Sequence, residues 1–200
     1  MNIAIFASGR GSNFSAIARA IKKGKLKANL ALLVCDNPKA QVIAKAKRAA
    51  VKIAIVQRKD FSSKTDFENK IIRHLEEAQI ELVVLAGFMR ILSPNLISRY
   101  RNRILNIHPA LLPSFKGGHG IKEAFEYGAK VTGVTVHFVD EEMDHGPIIA
   151  QSAIKIEEVD TLESLELKIH KAEHKFYPQA IDLVIQGKIV LEGRKARITG

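Results

Sequence analysis

Two polar side chains, Asn106 and His108, lie in an apolar run that ends at Pro109. Residues i and i+2 of a strand point to the same face, so both are predicted to project together from the carboxyl end of a strand. Open α/β sheets place their ligands at that end. An amide beside an imidazole can stabilise an oxyanion and deliver a proton. A lone strand histidine is usually a packed core group, but this pair favours acid–base chemistry.

A carboxylate that could complete the pair is Asp144, in the acidic, turn-rich segment 140–147. If that segment folds over the strand end, its carboxylate would favour the protonated form of His108. The alternative is a solvated turn aspartate without a functional partner. The spacing along the chain does not decide between these two interpretations.

A glycine-bearing segment, residues 9–13 (GRGSN), follows an apolar run and opens a helical pattern. Glycines let the backbone approach a ligand, and free N–H groups at a helix start attract anions. A dinucleotide fingerprint would need a glycine where Phe14 stands, and Asp36 lies 25 residues beyond Gly11. The segment therefore predicts a phosphate site with Ser12 and Asn13 as further donors, and a plain tight turn is the alternative.

The segment 170–174 (HKAEH) matches the H-x-x-E-H pattern of some zinc peptidases. Such a site needs another ligand, and only 26 residues follow, with Glu192 as the carboxylate side chain near enough to the end to offer one. We therefore predict no metal here. A pair of surface histidines on a helix is one alternative, and an anion- or hydroxyl-binding role for Glu173 is the other.

The elements that would position these residues follow from apolar periodicity. Strands are predicted over residues 2–7, 30–35, 53–56, 82–86, 104–107, 131–139 and 148–156, and helices over 13–23, 38–49, 64–78 and 161–185, followed by a short tail. Ser63, with Asp66 three residues on, is predicted to cap the third helix. This order predicts an α/β fold with a mixed, mostly parallel sheet and helices on both faces. We expect one domain over 1–200, with halves at 1–103 and 104–200.

Composition narrows the functional classes. The 200 residues carry a net charge of +10, and residues 1–103 alone carry +13, from 20 basic and 7 acidic side chains. That excess predicts an anionic partner or solvated helix faces. One cysteine excludes an internal disulfide framework and a cysteine-based zinc site. No apolar run approaches the roughly 18 residues of a membrane span, and no signal peptide is evident, so a cytoplasmic protein is expected.

Several segments together resemble the phosphoribosylglycinamide formyltransferases, a folate-dependent family of purine biosynthesis, along the whole chain. They are residues 9–13, 85–92 (LAGFMRIL), 106–113 (NIHPALLP), 140–147 and 173–178. The resemblance implies a Rossmann-like formyltransferase fold. It also implies transfer of a formyl group from 10-formyltetrahydrofolate, as co-substrate and without a metal, to the amine of glycinamide ribonucleotide.

The resemblance further implies roles for particular residues. The implied catalytic trio is Asn106, His108 and Asp144. The implied ribonucleotide contacts are Gly11, Ser12, Asn13, Phe14, Ser15 and Glu173. The implied folate contacts are Lys64, Met89, Arg90, Ile91, Leu92, Asn106, Val139 and Asp140. We expect small-molecule partners, no nucleic acid or membrane, and a monomer or weak homodimer.

The chain departs from the family pattern at three places. Lys64 stands where some members carry arginine, which keeps the charge but loses the bidentate fork. The segment 115–120 is unusually rich in glycine, and His170 replaces a glutamine. Methionyl-tRNA formyltransferase, formyltetrahydrofolate deformylase and a non-catalytic RNA- or nucleotide-binding module remain alternatives. The first two normally carry an additional domain for which this chain is expected to lack room.

Overall fold

Strands and helices alternate through most of the computed structural model, which describes residues 1–199. The strands are β1 (Asn2–Phe6), β2 (Asn29–Cys35), β3 (Lys52–Ile55), β4 (Leu82–Leu85), β5 (Ile104–His108), β6 (Val131–Phe138), β7 (Ile148–Lys155), β8 (Ile189–Glu192) and β9 (Lys195–Ile198). The helices are α1 (Ser12–Lys22), α2 (Val42–Arg48), α3 (Lys64–Glu77), α4 (Pro94–Arg99), α5 (Gly120–Glu126) and α6 (Leu162–Ile185).

The chain forms two compact units, of which the first is Met1–Leu105. Its strand order is β3-β2-β1-β4-β5, and β1 pairs in parallel with both β2 and β4. These strands are short apolar runs, and β4 is buried along its whole length. Continuous apolar strands are typical of parallel sheets covered by helices. Helix α1 contributes Phe14 and Ile17 to this core.

The second unit begins at Asn106, within β5, and has the strand order β5-β6-β7-β9-β8. Strands β6 and β7 form a long antiparallel pair, and β8 and β9 form a hairpin. Helix α6 begins at a capping box in which Thr161 and Ser164 each bond the other's backbone N–H. The predicted mixed, mostly parallel sheet flanked by helices is confirmed; the single domain over 1–200 stays a prediction.

Two local features differ from the sequence predictions, and one predicted local feature is confirmed. The predicted tail after residue 185 is wrong, because residues 189–198 form the β8–β9 hairpin. Helices α4 and α5 were not predicted, since each is only six or seven residues long. The predicted cap of α3 is confirmed, because Ser63 Oγ accepts the Asp66 N–H at 3.0 Å.

The chain's one cysteine ends β2 in the interior. Cys35 is buried, and its Sγ donates to the Asn37 carbonyl at 3.2 Å. Burial raises the pKa of the Cys35 thiol, with a smaller contribution from the charge of Asp36. Because the thiolate is the reactive form, this side chain is a packing residue.

No helix within residues 1–199 has the length and apolar character needed to cross a membrane.

Candidate active site

The side chain of Asp144 contacts both polar residues of β5. Its Oδ1 accepts from Asn106 Nδ2 at 3.3 Å, and its Oδ2 lies 3.4 Å from His108 Nδ1. The alternation of β5 sends Asn106 and His108 to one face, and the β6–β7 loop brings the carboxylate to them. The three residues implied as the catalytic trio therefore lie within contact distance in the second unit.

The other ring nitrogen of His108 is also occupied. Nε2 lies 2.7 Å from the carbonyl oxygen of Phe115. A carbonyl and a carboxylate can only accept, so an imidazolium satisfies both neighbours of this ring, and a neutral imidazole satisfies one. A Cβ at Gly120 would lie 2.7 Å from the Phe115 oxygen and 3.3 Å from Nε2, so this contact requires glycine at position 120.

A second buried histidine, His137 on β6, belongs to the same cluster and was not predicted from the sequence. Its Nε2 lies 3.2 Å from Asn106 Nδ2 and 3.6 Å from Asp144 Oδ1. Its Nδ1 lies 2.7 Å from the Phe138 carbonyl, so Nδ1 carries a proton. The missed signal is the alternation of β6, in which Thr135 and His137 place polar groups at every second position of a buried strand.

The ionisation of Asp144 follows from opposing effects. Burial alone would raise its pKa, but hydrogen bonds from His137 and from the Gly117 N–H, at 2.8 Å, favour the carboxylate. The charges of His108 and His137 act in the same direction, and the net effect lowers the pKa of Asp144. Asp144 is therefore a carboxylate at neutral pH.

The β6–β7 loop that carries Asp144 is tightly closed. The Phe138 N–H donates to the Pro147 carbonyl at 2.9 Å, and a Cβ at Gly146 would lie 1.9 Å from the Phe138 oxygen. Asp140 accepts the Glu142 N–H at 3.1 Å within the loop. Val139 and Asp140, the implied folate contacts here, are half-buried.

In the first unit, the glycine segment leads into α1 as predicted. Gly11 has φ of 68°, and a Cβ there would lie 2.5 Å from Cγ2 of Val42, so both conformation and space require glycine. Lys45 Nζ lies 3.3 Å from the Gly11 carbonyl and adds a positive charge beside the helix start. The first-turn N–H groups of an α-helix have no intrahelical acceptor, which suits an anion.

Not every side chain of this segment is available to a ligand. Asn13 and Phe14 are buried, and Phe14 is part of the core. Ser15 Oγ donates to the Gly11 carbonyl at 3.1 Å. A ligand at this helix start would therefore meet Phe14 through its backbone.

Residues 89–92 present two apolar side chains to solvent, since Met89 is 77% exposed and Ile91 64% exposed. Leu92 is buried. Arg90 forms an ion pair with Asp36. Met89 and Ile91 therefore leave apolar surface that a ligand could cover.

The remaining predicted contacts lie on helices. Lys64 is the first residue of α3, and its Nζ lies 4.0 Å from Oε1 of the buried Glu68. Glu173 is buried on α6, where its Oε2 lies 3.0 Å from His170 Nδ1. Among the described residues, no group of three His, Cys, Asp or Glu side chains is arranged to hold a metal ion.

The sequence model of the family described as "Formyl transferase" matches residues 1–181. The chain belongs to the formyl transferase family. This membership confirms the resemblance that was inferred from the sequence. It also confirms the prediction of a formyltransferase type of α/β fold. All of the candidate residues of this formyl transferase lie within the matched region.

Two related proteins and one solved structure show which members of the family this chain is similar to. The phosphoribosylglycinamide formyltransferase of Bacillus subtilis (strain 168) is 49% identical over 89% of this chain and 91% of its own. The trifunctional purine biosynthetic protein adenosine-3 of Gallus gallus is 41% identical over 94% of this chain, which spans 19% of that protein. The crystal structure of glycinamide ribonucleotide transformylase 1 from Symbiobacterium toebii covers 100% of this formyl transferase with a TM-score of 0.98 and 38% identity.

Proposed function

We propose that this formyl transferase moves the formyl group of 10-formyltetrahydrofolate to the amine of N1-(5-phospho-D-ribosyl)glycinamide. The products are formylglycinamide ribonucleotide and tetrahydrofolate, in de novo purine biosynthesis. The similarity to the Bacillus subtilis enzyme supports the reaction, and one observation carries the chemistry: Asp144 holds contacts with both Asn106 and His108.

The substrate amine is the nucleophile in this proposal. Its attack on the formyl carbon forms a tetrahedral intermediate with a negatively charged oxygen. Asn106 Nδ2 donates to that oxygen, and the imidazolium of His108 stabilises it by its charge. Collapse of the intermediate breaks the bond to the folate nitrogen, which takes the proton from His108. The proton lost by the amine leaves through Asp144 and water.

The structure supports this division of roles through the charges that surround the trio. Asp144 is ionised at neutral pH and faces Nδ1 of His108, so it stabilises the imidazolium. His137 contacts both Asn106 and Asp144 and so limits how each can rotate. Loss of a single oxyanion donor typically costs on the order of 100- to 1,000-fold in rate.

The ribonucleotide is assigned to two places. Its phosphate meets the start of α1 through the N–H groups of residues 11–14 and the charge of Lys45. Glu173 accepts from the ribose hydroxyls, as the family resemblance implies. The required glycine at position 11 and the nearby Lys45 amine support the phosphate assignment.

The folate is assigned to residues 89–92, Lys64, Val139, Asp140 and Asn106. Exposed Met89 and Ile91 suit the flat pterin ring, and Lys64 suits the glutamate carboxylates. Under this proposal the folate is a co-substrate, the partners are small molecules, and the enzyme acts in the cytoplasm as a monomer or weak homodimer.

One observation favours a second candidate, a formyl transferase acting on methionyl-tRNA. Residues 1–103 carry a net charge of +13, which attracts polyanions. A deformylase would share the trio but use water in place of the amine.

A single assay with three acceptors separates these candidates. The protein is mixed with 10-formyltetrahydrofolate and, in parallel, with glycinamide ribonucleotide, methionyl-tRNA or buffer alone, and tetrahydrofolate formation is followed. We expect product with the ribonucleotide only. Formyl-methionyl-tRNA would favour the second candidate, formate in buffer would favour deformylation, and salt-sensitive RNA binding without any transfer would favour a binding module.

A further inference from the structure

The turn between β8 and β9 touches the loop that carries Asp144. Arg194 lies in this turn, and its Nη2 donates to the carbonyl of His145 at 2.6 Å. Its Nη1 lies 2.7 Å from Nε2 of the same histidine. Because His145 follows Asp144 directly in the chain, Arg194 holds both the backbone and the ring of the carboxylate's neighbour.

The contact continues across the loop. Nδ1 of His145 lies 2.8 Å from Oδ2 of Asp140. The carboxylate can only accept, so Nδ1 donates to it. Nη1 of Arg194 lies 3.0 Å from this Nδ1 as well as 2.7 Å from Nε2, so the guanidinium packs against the imidazole ring close to both nitrogens. Contacts therefore run from the hairpin turn through His145 to Asp140, the first residue of the 140–147 loop.

The hairpin is itself fixed beside the end of that loop. Lys195 of β9 pairs with Ile148, the first residue of β7. The hairpin lies beyond residue 181, where the family match ends, whereas the loop lies inside it. The contacts of Arg194 with His145 therefore connect the hairpin, which lies outside the matched region, to the loop that carries Asp144.

The backbone conformation of Asp144 indicates what the contacts of Arg194 with His145 could stabilise. Asp144 has φ of 49°, a left-handed conformation that is strained for a non-glycine residue unless its surroundings hold it. Aspartate tolerates this region better than most residues. Hydrogen bonds at the next residue are well placed to oppose relaxation of this conformation.

We propose that Arg194 is a positioning residue for Asp144, so that the β8–β9 hairpin sets the geometry of the formyl-transfer site. The inference rests on the proposed function, in which Asp144 acts on His108 in the transition state. Arg194 touches neither substrate in this proposal and acts through His145. Misplacement of a catalytic group by about 1 Å can cost up to about 100-fold in rate.

The test compares two arginines of the same hairpin. Arg194→Ala removes the contacts with His145, and Arg194→Lys keeps the charge but loses the two-pronged donor. Arg197→Ala is the matched control, since Arg197 is an exposed residue of β9 whose Nε lies 3.0 Å from Glu192 of the same hairpin. We expect Arg194→Ala to lower kcat about 10-fold, with ribonucleotide KM and Tm close to those of Arg197→Ala. Arg194→Lys should be intermediate.

A second background tests the route of the effect. In Asp144→Asn, single-turnover rates measured with excess enzyme should fall little further when Arg194→Ala is added, because residues that act as a unit are not additive. An equal fold-loss in both backgrounds, or a kcat for Arg194→Ala equal to that of Arg197→Ala, would overturn the inference. Absence of transfer by the unaltered protein would instead overturn the proposed function.

Discussion

The carbonyl oxygen of Phe115 lies 2.7 Å from Nε2 of His108, while Nδ1 of the same ring faces Asp144. Both nitrogens of the proposed proton donor are therefore engaged by the protein. Because Asp144 is needed to hold the charge, the substrate must replace the Phe115 carbonyl to receive the proton from Nε2. Under the proposed function, we therefore expect residues 114–119 to move when substrate binds.

Gly120→Ala tests this contact. A methyl group at position 120 would press on the Phe115 oxygen and approach Nε2, so either the carbonyl or the ring must shift. We expect kcat to fall at least about 10-fold with little change in ribonucleotide KM. Gly118→Ala is the matched control, since a Cβ there meets nothing within 4 Å. Equal turnover of the two variants would show that the contact has no influence on the reaction.

His108→Ala and Asp144→Asn test the trio itself. Each group acts mainly on the transition state, so each change should lower kcat by at least about 100-fold and leave ribonucleotide affinity almost unchanged. Steady-state kinetics and calorimetric titration with the ribonucleotide check the two halves of this expectation. A variant that keeps more than half of the unaltered kcat would remove its residue from the mechanism.

The lowered pKa of Asp144 predicts a pH dependence of stability. An unfolded aspartate titrates near about pH 3.9, and the folded value is lower. Ionised Asp144 therefore contributes stability that is present above about pH 4 and is lost as the pH falls through the folded pKa. We expect the free-energy difference between the unaltered protein and Asp144→Asn in urea unfolding to shrink from about pH 6 to about pH 2.5.

Glu141→Gln is the control for that titration, because Glu141 is an exposed carboxylate of the same loop. Its difference from the unaltered protein should vary little over the same range. If Asp144→Asn and Glu141→Gln follow the same pH profile, the pH dependence of stability arises from the net charge of the protein and not from the contacts of Asp144.

Glu68 predicts a local effect on stability. Its buried carboxylate accepts from the Ser93 N–H at 2.8 Å and from the Ser93 hydroxyl, at the start of α4 and directly after residues 89–92. Glu68→Ala leaves that N–H unsatisfied, which should cost about 1–3 kcal/mol in urea unfolding. Glu68→Gln retains one acceptor and should cost less, and an order reversed between the two would contradict the interpretation.

Lys64 tests the folate assignment. Its side chain is 48% exposed, so it should act on the folate glutamates as a point charge screened by salt. Lys64→Ala should raise folate KM with kcat nearly intact, the pattern of lost uniform binding. The effect should grow with glutamate-tail length and shrink between about 0.05 and 0.5 M salt. Equal KM values at low salt would make Lys64 an ordinary surface lysine, and Lys52→Ala is an exposed control.

The strands of the first unit were predictable because each is a short, continuous apolar run between turn residues. The proximity of Asn106 and His108 followed from strand alternation alone. The position of Asp144 did not, since it depends on how a loop of eight residues closes. Local patterns determine which side chains share a face, but loop closure depends on contacts such as that of Gly146 with Phe138.

The β8–β9 hairpin escaped prediction for a different reason. Its strands have four residues each, contain no buried position, and include Lys195 and Arg197. Such short charged strands form only when a neighbour is present to pair with, here β7. The contact of Arg194 with His145 could not be predicted either, because no pattern in the sequence links these two positions, which are 49 residues apart.

The burial of Cys35 makes the chain convenient for site-specific labelling. Its one native thiol is enclosed and held protonated, so maleimide reagents should leave the folded protein unmodified. A single cysteine introduced at the exposed position Ser114 would then be the sole attachment point for a fluorophore. Such a probe sits next to Phe115 and would follow, in real time, the displacement of its carbonyl from His108 as ribonucleotide and folate are added.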